Sequence, residues 1–454
     1  MLRDFSFANF RSFRDEQYFS MTRTKAAMKR QTTKWPISDI SCIASVYGSN
    51  ASGKTAFCNA LPYLALFIER GFSQEHPLSL FKPFLLNSHS KTDPMSFLVD
   101  FSISGNRYRY EIDLTAGSVS FESLRRYNGP TNRTQRVFER ALKEDRSFKF
   151  LYGKNFKGQK RAAEAMTRND VAYLSVLHKT NCKSVEEAYS FFSDQVVFLD
   201  ALFYERELDQ IAERLSDDAW YANALSTIVS QADLGISVME TKGFFDAIRS
   251  RDGEAFDGFA KGVAGITGPN ATAAEREKRT QEICELLTQP VKELVFTHRG
   301  ADGYTAEFSR DDESNGTLSM LAFFSIALKL LAVPTVAFVD EIDTSLHPTY
   351  VEELVRLYKD PATNPCQSQL IFTTHDVSLI TKSGADEPVI DPDQIWFVEK
   401  TSEGASELFP ATSLNPRWEE NFGRNYLHGV YGAIPRPDFH SAFARALQCE
   451  DTRQ

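Results

Sequence analysis

The sequence predicts an α/β fold whose central sheet takes strands from both ends of the chain. Two segments carry this prediction. Residues 43–55 join an apolar run to a glycine-containing loop, and residues 334–341 form an apolar run that ends in two carboxylates. Lys54 in the first segment and Asp340 in the second are 286 positions apart. Because a compact core needs far fewer residues than that, a further lobe must be inserted between its halves.

The first half of the core contains a complete phosphate loop. Residues 48–55 match G-x-x-x-x-G-K-[ST], with Gly48 and Gly53 allowing backbone N–H groups to close around phosphate oxygens. The intervening loop residues are Ser49, Asn50, Ala51 and Ser52. Lys54 is placed to reach the β- and γ-phosphates, and the Thr55 hydroxyl to ligate Mg²⁺. A helix over residues 54–70 would direct its positive end at the same phosphates.

The rest of residues 1–160 is predicted to be mainly strands. Residues 5–13 alternate apolar and polar side chains, and residues 96–103, 108–114 and 119–124 do the same between short turns. Residues 136–140 and 147–152 extend this antiparallel β-meander. Together with the phosphate loop they form the expected N-terminal half of the core.

Residues 161–290 change to helical spacing and are predicted to form an inserted helical lobe. Apolar residues recur at intervals of three and four in several segments. The predicted helices are residues 161–177, 185–192, 204–216, 220–229 and 273–287, with a glycine-containing loop over residues 253–269.

Residues 291–454 return to the core. The strand that ends in Asp340 and Glu341 has the form of a segment that holds a metal ion and activates water. Upstream, Ser314 and Gly316 lie in a polar turn before a predicted helix over residues 319–331, an arrangement that can hold an anion. A loop containing Ser345 follows the carboxylates, and the strand of residues 369–373 leads to His375. These patterns predict binding and hydrolysis of a nucleoside triphosphate.

Composition narrows the class of protein. The six cysteines are scattered without C-x-x-C spacing, so neither a zinc site nor a disulfide framework is indicated. The N-terminus has no apolar signal segment and no long apolar run is evident, so we expect a cytoplasmic protein without membrane contact. Asp391 and Asp393 resemble nuclease carboxylates, but the glutamate follows them and too few residues remain for such a domain. We therefore expect no nuclease within this chain.

A basic segment stands out against the net charge of −10. Residues 125–161 contain 12 Lys or Arg and 3 acidic residues, with aromatic residues interleaved. One interpretation is a surface for DNA or for an acidic phage protein. The other, slightly favoured, is a meander whose aromatic side chains face the core and whose charges are solvated. The candidate surface residues are Arg125, Arg126, Arg133, Arg136 and Arg140.

The order of these segments resembles the ATP-binding-cassette class of ATPases, and the split core resembles its SMC, RecF and OLD-nuclease branch. More closely, the chain resembles the AbiL/RloA-type ATPases of bacterial phage-defence systems, whose relatives include the PARIS ATPase AriA and the Septu ATPase PtuA. The segments that carry this resemblance are residues 9–13, 48–55, 83–87, 313–317, 339–348, 372–376, 393–400 and 426–435. The resemblance implies a split ABC-type ATPase head with a β-meander lobe and an inserted helical lobe.

The resemblance also implies roles for single residues. Lys54 and Thr55 would hold ATP and Mg²⁺, Asp340 would support the metal, Glu341 would polarise the attacking water, and His375 would sense the γ-phosphate. Ser314, Gly316 and Ser345 would complete the ATP site of a second subunit in a head-to-tail dimer or higher homo-oligomer. No glutamine is convincingly placed as a Q-loop, so that assignment stays open.

Two functions follow as hypotheses. The first is a sensor and switch of an anti-phage defence system that uses slow ATP hydrolysis to control a separately encoded effector, a nuclease or toxin. The alternative is a RecF- or SMC-like protein that binds DNA in an ATP-dependent manner during repair or replication. A transporter ATPase is a weaker third possibility, because nothing in the sequence indicates a coupling surface.

Overall fold

The computed structural model of the 454-residue chain describes residues 1–29, 39–75, 77–129, 133–232, 235–243, 292–300, 302–344, 346–382, 388–414, 420–432 and 439–448. The described α-helices are α1 (Lys25–Lys29), α2 (Lys54–Arg70), α3 (Lys160–Met166), α4 (Tyr173–Lys179), α5 (Glu186–Ser190), α6 (Ala201–Asp217), α7 (Ala219–Gln231), α8 (Asn315–Ala332), α9 (Pro348–Lys359), α10 (Phe422–Leu427) and α11 (Phe439–Gln448). A π-helical turn spans Phe191–Gln195, and 3₁₀ turns span Pro77–Leu80, Arg310–Asp312, Ser378–Ile380, Pro392–Gln394 and Ala411–Leu414.

The strands form three sheets. They are β1 (Leu2–Ala8), β2 (Gln17–Ser20), β3 (Ile43–Gly48), β4 (Met95–Ile103), β5 (Asn106–Leu114), β6 (Val119–Tyr127), β7 (Thr134–Leu142), β8 (Phe148–Tyr152), β9 (Val196–Leu199), β10 (Ile236–Gly243), β11 (Lys292–Arg299), β12 (Thr305–Ser309), β13 (Val336–Val339), β14 (Gln369–Thr373), β15 (Ile395–Lys400) and β16 (Ser406–Pro410).

The core sheet has the order β16-β15-β3-β14-β13-β9. Strands β15, β3, β14, β13 and β9 are parallel, and β16 is antiparallel at the edge. The strands of this sheet therefore come from residues 43–48, 196–199 and 336–410. The predicted α/β class and split core are confirmed by this order of strands.

The meander is an antiparallel sheet with the order β2-β1-β4-β5-β6-β7-β8. One face packs on α2, with alternate residues such as Phe101, Tyr110, Leu124 and Phe138 buried in the main hydrophobic core. Since side chains alternate between faces, Asp100, Arg109 and Arg125 lie on the opposite face.

The chain divides into two compact units. Unit 1 contains residues 1–199, 331–343 and 347–454, and unit 2 contains residues 200–330 and 344–346. Unit 2 therefore begins later than the lobe expected from residue 161, because α3, α4 and α5 pack in the core of unit 1. Unit 2 is not purely helical, since it also contains the β10-β11-β12 sheet. The helix expected over residues 273–287 and the loop over residues 253–269 lie outside the described residues.

The single helix expected over residues 161–177 is interrupted. α3 ends at Met166, and Thr167 is extended. The Val119 amide donates to the carbonyl of Asn169 at 2.8 Å, so the segment between α3 and α4 bonds to the start of β6 instead of continuing the helix. Tertiary hydrogen bonding outweighs the local helical pattern here.

Unit 2 has its own hydrophobic core, in which residues from α6, α7, the small sheet and α8 meet, including Ile211, Tyr221, Phe296 and Leu321. Within the described part of the chain, α8 has the length and hydropathy of a membrane span, and half of it is buried inside the protein. The sequence pattern did not indicate a segment of this length. Buried core helices share this composition, so the helix is weak evidence for a membrane.

Candidate functional site

The candidate site lies where three neighbouring parallel strands end. The phosphate loop follows β3, Asp340 and Glu341 follow β13, and His375 comes soon after β14. In parallel sheets the carboxyl ends of adjacent strands share one edge, which is where such folds bind ligands. The sheet order therefore brings together segments that are almost 300 positions apart in the chain.

Close backbone approaches shape the phosphate loop. A Cβ on Gly48 would lie 2.5 Å from the carbonyl oxygen of Val398, and one on Gly53 would lie 2.4 Å from the Ser406 hydroxyl. Gly53 also has a φ of 118°, which favours glycine. The Ser406 hydroxyl donates to the carbonyl of Ser52. Strand β16, from the C-terminal half of the core, thus holds the loop in place.

Lys54 is folded into the loop. Its Nζ donates to the carbonyl oxygens of Gly48 at 3.0 Å and Ser49 at 3.1 Å, and the residue is only 6% exposed. Burial lowers the pKa of Lys54, while the nearby charges of Glu341 and Asp340 oppose that shift. The ammonium group of Lys54 and these two carboxylates therefore interact electrostatically within one site.

The two carboxylates after β13 are held by strand β14. The Thr373 hydroxyl donates to Asp340 Oδ1 at 2.7 Å and accepts from the Glu341 amide at 2.7 Å. The Asp340 amide donates to the carbonyl of Leu199 at 3.0 Å. Glu341 itself is exposed and has a φ of 50°. An exposed carboxylate beside a fixed one suits the separate tasks of polarising water and holding metal.

His375 is anchored through its backbone. Its amide donates to Asp343 Oδ2 at 3.2 Å, whereas Asp343 Oδ1 is buried without a hydrogen-bond partner. Burial and then the positive charge of Lys54 lower the pKa of His375 from 6.5. The ring is therefore neutral at pH 7 and able to contact a phosphate or water without adding charge.

Arg11 also belongs to this region, although the sequence patterns assigned it no role. Burial lowers the pKa of Arg11, while the negative charges of Tyr63 and, to a smaller extent, Asp340 oppose that shift. Arg11 has a φ of 52° and its amide donates to the carbonyl of Lys82 at 2.7 Å. The sequence contains one indication of a role for Arg11, since it lies in the segment of residues 9–13 that carries the family resemblance.

These residues fit ATP and Mg²⁺. The phosphate loop has no room for a Cβ at Gly48 or Gly53. The buried Ser52 hydroxyl has no hydrogen-bond partner. Thr55 is exposed at the start of α2. Among the described residues no group of three His, Cys, Asp or Glu forms a metal cluster. That is the usual situation for Mg²⁺, which takes one or two carboxylates together with phosphate oxygens.

A family model described as "AAA domain, putative AbiEii toxin, Type IV TA system" matches residues 43–381, about three quarters of the chain. The chain belongs to this AAA-domain family. The match contains the phosphate loop, both carboxylates and His375, so all the predicted core site residues lie inside the AAA domain.

The AAA-domain chain is also similar to solved SMC heads. The SMC head bound to the C-winged helix domain of ScpA has 11% identity, covers 90% of this chain and 97% of that chain, and has a TM-score of 0.42. The head domain from Thermotoga maritima has 11% identity, coverages of 90% and 98%, and a TM-score of 0.37. At these scores the superpositions support no conclusion about this chain. No curated protein matches it significantly.

The Ser-Gly turn of the AAA domain lies in unit 2. Ser314 Oγ accepts from the Thr317 amide at 3.1 Å, so Ser314 caps the N-terminus of α8. Its neighbour Glu313 accepts from His298 Nε2 at 2.6 Å. Gly316 lies in the first turn, with room for a Cβ that would be 3.7 Å from Ser314 Oγ. Ser345 lies outside the described residues.

The five candidate surface arginines do not form one patch. Arg125 and Arg136 are about one-third exposed on the solvent-facing side of the meander and share Glu139, at 3.1 and 3.2 Å. Arg126 is exposed and donates to Asn106, and Arg133 is exposed. Phe138 lies in the main core and Phe150, Tyr152 and Phe156 pack against it, in agreement with the slightly favoured interpretation, whereas the Tyr127 hydroxyl donates to Asp100 on the opposite face.

Arg140 corrects the expectation of an exposed side chain. It is fully buried and pairs with the buried Glu122 at 3.2 Å across β6 and β7. It shares the inner face of the sheet with Phe138, two positions earlier, because side chains alternate along a strand. Arg140 is therefore inaccessible to a partner on the outer face.

Asp391 and Asp393 have structural partners. Arg23 contacts Asp391 at 2.7 Å and Asp393 at 3.1 Å, and Lys359 lies 3.5 Å from Asp391. The Asp393 side chain is 1% exposed. The two carboxylates are therefore paired with cations from two other segments.

Proposed function

We propose that this chain is the ATP-binding and ATP-hydrolysing switch of an anti-phage defence system, in the AbiL/RloA-type group, and that it controls a separately encoded nuclease or toxin. The observation that carries the proposal is the position of Lys54 inside a phosphate loop whose neighbouring strands present Asp340, Glu341 and His375. The description of the family, a putative toxin of a toxin–antitoxin system, supports a defence role.

The proposed chemistry follows from the site. Lys54 and the loop amides bind the phosphates, and Thr55 and Asp340 hold Mg²⁺, which neutralises charge on the phosphate oxygens. Glu341 orients and polarises the attacking water. His375, which burial and Lys54 keep neutral, contacts the γ-phosphate and distinguishes ATP from ADP.

A second copy of the chain completes the proposed site. Ser314 caps the N-terminus of α8 and Gly316 lies in its first turn, where the backbone amides and the helix dipole favour an anion. In a head-to-tail dimer this turn and Ser345 would contact the ATP bound by the partner. Hydrolysis that needs a second subunit is slow and dependent on protein concentration, which suits a switch.

Two variants test the assignment of the ATP site. Lys54→Ala should abolish ATP hydrolysis, whereas Lys149→Ala, an exposed lysine on β8, should leave it unchanged. Glu341→Gln should lose turnover and accumulate an ATP-bound dimer, detected by light scattering coupled to gel filtration. Glu353→Gln, an exposed glutamate on α9, is the control. Retained turnover in Glu341→Gln would refute the role of Glu341.

The effector is tested by purifying the tagged protein from its native operon with and without ATP. A stoichiometric partner with nuclease or toxin activity would support the switch. Recovery of the ATPase alone on DNA would contradict it and favour the second candidate.

The second candidate is a RecF- or SMC-like clamp on DNA, and one observation favours it. Arg109, Arg125 and Arg136 are directly opposite one another on β5, β6 and β7. Because neighbouring strands lie about 4.8 Å apart, the three guanidinium groups form a row across the outer face of the meander. Their side chains are 39%, 34% and 36% exposed. Asp100 and Glu139 neutralise part of this charge, so we rank it second.

Salt dependence distinguishes the two candidates. If the row tracks a DNA backbone, replacing its three arginines with alanine should weaken DNA binding and lower the slope of log affinity against log salt by up to about 3. A control variant replaces three other exposed arginines: Arg70, Arg310 and Arg356. DNA binding that is absent, or equal in both variants, would exclude the row as a clamp surface.

A further inference from the structure

Thr373 links the two strand ends that carry the proposed chemistry. It is the last residue of β14, it is fully buried, and its strand lies between β3 and β13 in the core sheet. The phosphate loop therefore lies on one side of its strand and the Asp340–Glu341 pair on the other.

The Thr373 hydroxyl makes two hydrogen bonds with different partners. It donates to Asp340 Oδ1 at 2.7 Å and accepts from the Glu341 amide at 2.7 Å. Both lengths are within the normal range, and the bond from the Glu341 amide is at its short end. One hydroxyl thus restrains the orientation of the Asp340 side chain and the position of the Glu341 backbone.

The same strand end restrains a backbone conformation that is unusual for glutamate. Glu341 has a φ of 50°, a left-handed value that is strained for a non-glycine residue. The next amide, of Ile342, donates to the Thr373 carbonyl at 3.0 Å. Two hydrogen bonds from consecutive amides to Thr373 therefore hold the turn, and strain kept in this way is common at functional sites.

We propose that Thr373 is a positioning residue that fixes the Asp340 carboxylate for a divalent cation and the Glu341 carboxylate for water. The inference rests on the proposed function, since it assigns to Asp340 and Glu341 the roles given there. Because Thr373 engages Oδ1, the other carboxylate oxygen of Asp340 is the one that would bind the metal. A hydroxyl side chain is required because it must donate to one partner and accept from the other, which valine cannot do.

A positioning role differs from a purely structural one in what its loss changes. Partners that orient metal-binding carboxylates typically alter metal affinity or activity by 10- to 100-fold when removed. A hydroxyl that only stabilises the core would lower the melting temperature and leave the response to Mg²⁺ unchanged. The response to Mg²⁺ is therefore the informative readout.

The experiment measures binding of a fluorescent ATP analogue, without turnover, across a Mg²⁺ titration of the full chain. Thr373→Val should raise the half-saturating Mg²⁺ concentration about 10- to 100-fold. Thr373→Ser keeps the hydroxyl and should retain the wild-type value. Thr180→Val is the matched control, since its hydroxyl also makes two hydrogen bonds, to the carbonyls of Val176 and Leu177, away from the site.

The outcomes separate this inference from the proposed function. A wild-type Mg²⁺ response in Thr373→Val would overturn the positioning role even if the melting temperature falls. Thr373→Ala serves the same comparison if the valine variant does not fold. Failure of the wild-type chain to bind the analogue at any Mg²⁺ concentration would overturn the proposed function, and the inference with it.

Discussion

The buried pair of Glu122 and Arg140 makes a prediction that can be worked from its contacts. The Glu122 carboxylate accepts from the Tyr173 amide at 2.6 Å, the Leu174 amide at 2.8 Å and the Tyr110 hydroxyl at 3.0 Å, besides pairing with Arg140. It therefore joins the meander to the N-terminus of α4. Burial raises the pKa of Glu122, while Arg140 and these hydrogen bonds lower it.

Glu122→Ala should destabilise unit 1 strongly. The substitution leaves the Arg140 guanidinium buried without its carboxylate, and breaking a buried pair in this way costs about 3–5 kcal/mol. The two helix amides also lose their acceptor, and each unsatisfied buried group costs about 1–3 kcal/mol. The double variant Glu122→Gln with Arg140→Met removes the charge and keeps one amide acceptor, so its loss should be smaller.

Chemical denaturation followed by circular dichroism measures both changes in the free energy of unfolding. We expect the double variant to be more stable than Glu122→Ala. A loss below about 1 kcal/mol in Glu122→Ala would show that water compensates the charge. Equal losses in the two variants would show that the unpaired guanidinium is not the source of the cost.

Three further predictions concern unit 1. Gly53→Ala should abolish nucleotide binding in a fluorescence titration, because the positive φ of Gly53 and the close approach of β16 exclude a Cβ. The control Ala51→Gly, at a φ of 62°, should bind normally. Normal binding by Gly53→Ala would contradict the prediction. The pKa of His375, lowered from 6.5 by burial and Lys54, should rise when an ATP analogue adds negative charge, and an NMR titration that shows no rise would refute the contact. Asp393→Asn should lower the melting temperature by weakening the buried pair with Arg23, and an unchanged value would show that Asp391 suffices.

The core site was largely predictable because its residues are adjacent to strongly patterned segments. Gly48–Thr55 and Asp340–Glu341 each follow an apolar strand, and the structure places all of them at one edge of the parallel sheet. The roles of these residues remain predictions. The interrupted helix over residues 161–177 was not predictable, since the hydrogen bond from Val119 to Asn169 joins segments 50 positions apart.

The surface assignments depended on information that local sequence lacks. Arg136 and Arg140 are both arginines of β7, yet one is exposed and the other fully buried. A change of register between Leu124 and Arg125 alters which residues of β7 face outward. Simple alternation along the strand therefore does not predict which arginines are exposed. The partner that makes burial of Arg140 tolerable, Glu122, lies on a different strand.

The amino-acid sequence by itself determined the α/β class, the phosphate loop and the carboxylate pair, because these depend on glycine, charge and apolar periodicity within short segments. The tertiary structure alone decided which groups act together. Thr373 bonds to Asp340 and Glu341, and Ser406 holds the phosphate loop. Each of these contacts joins separate strands or loops, and their separation is set by sheet order and packing, which no local pattern records.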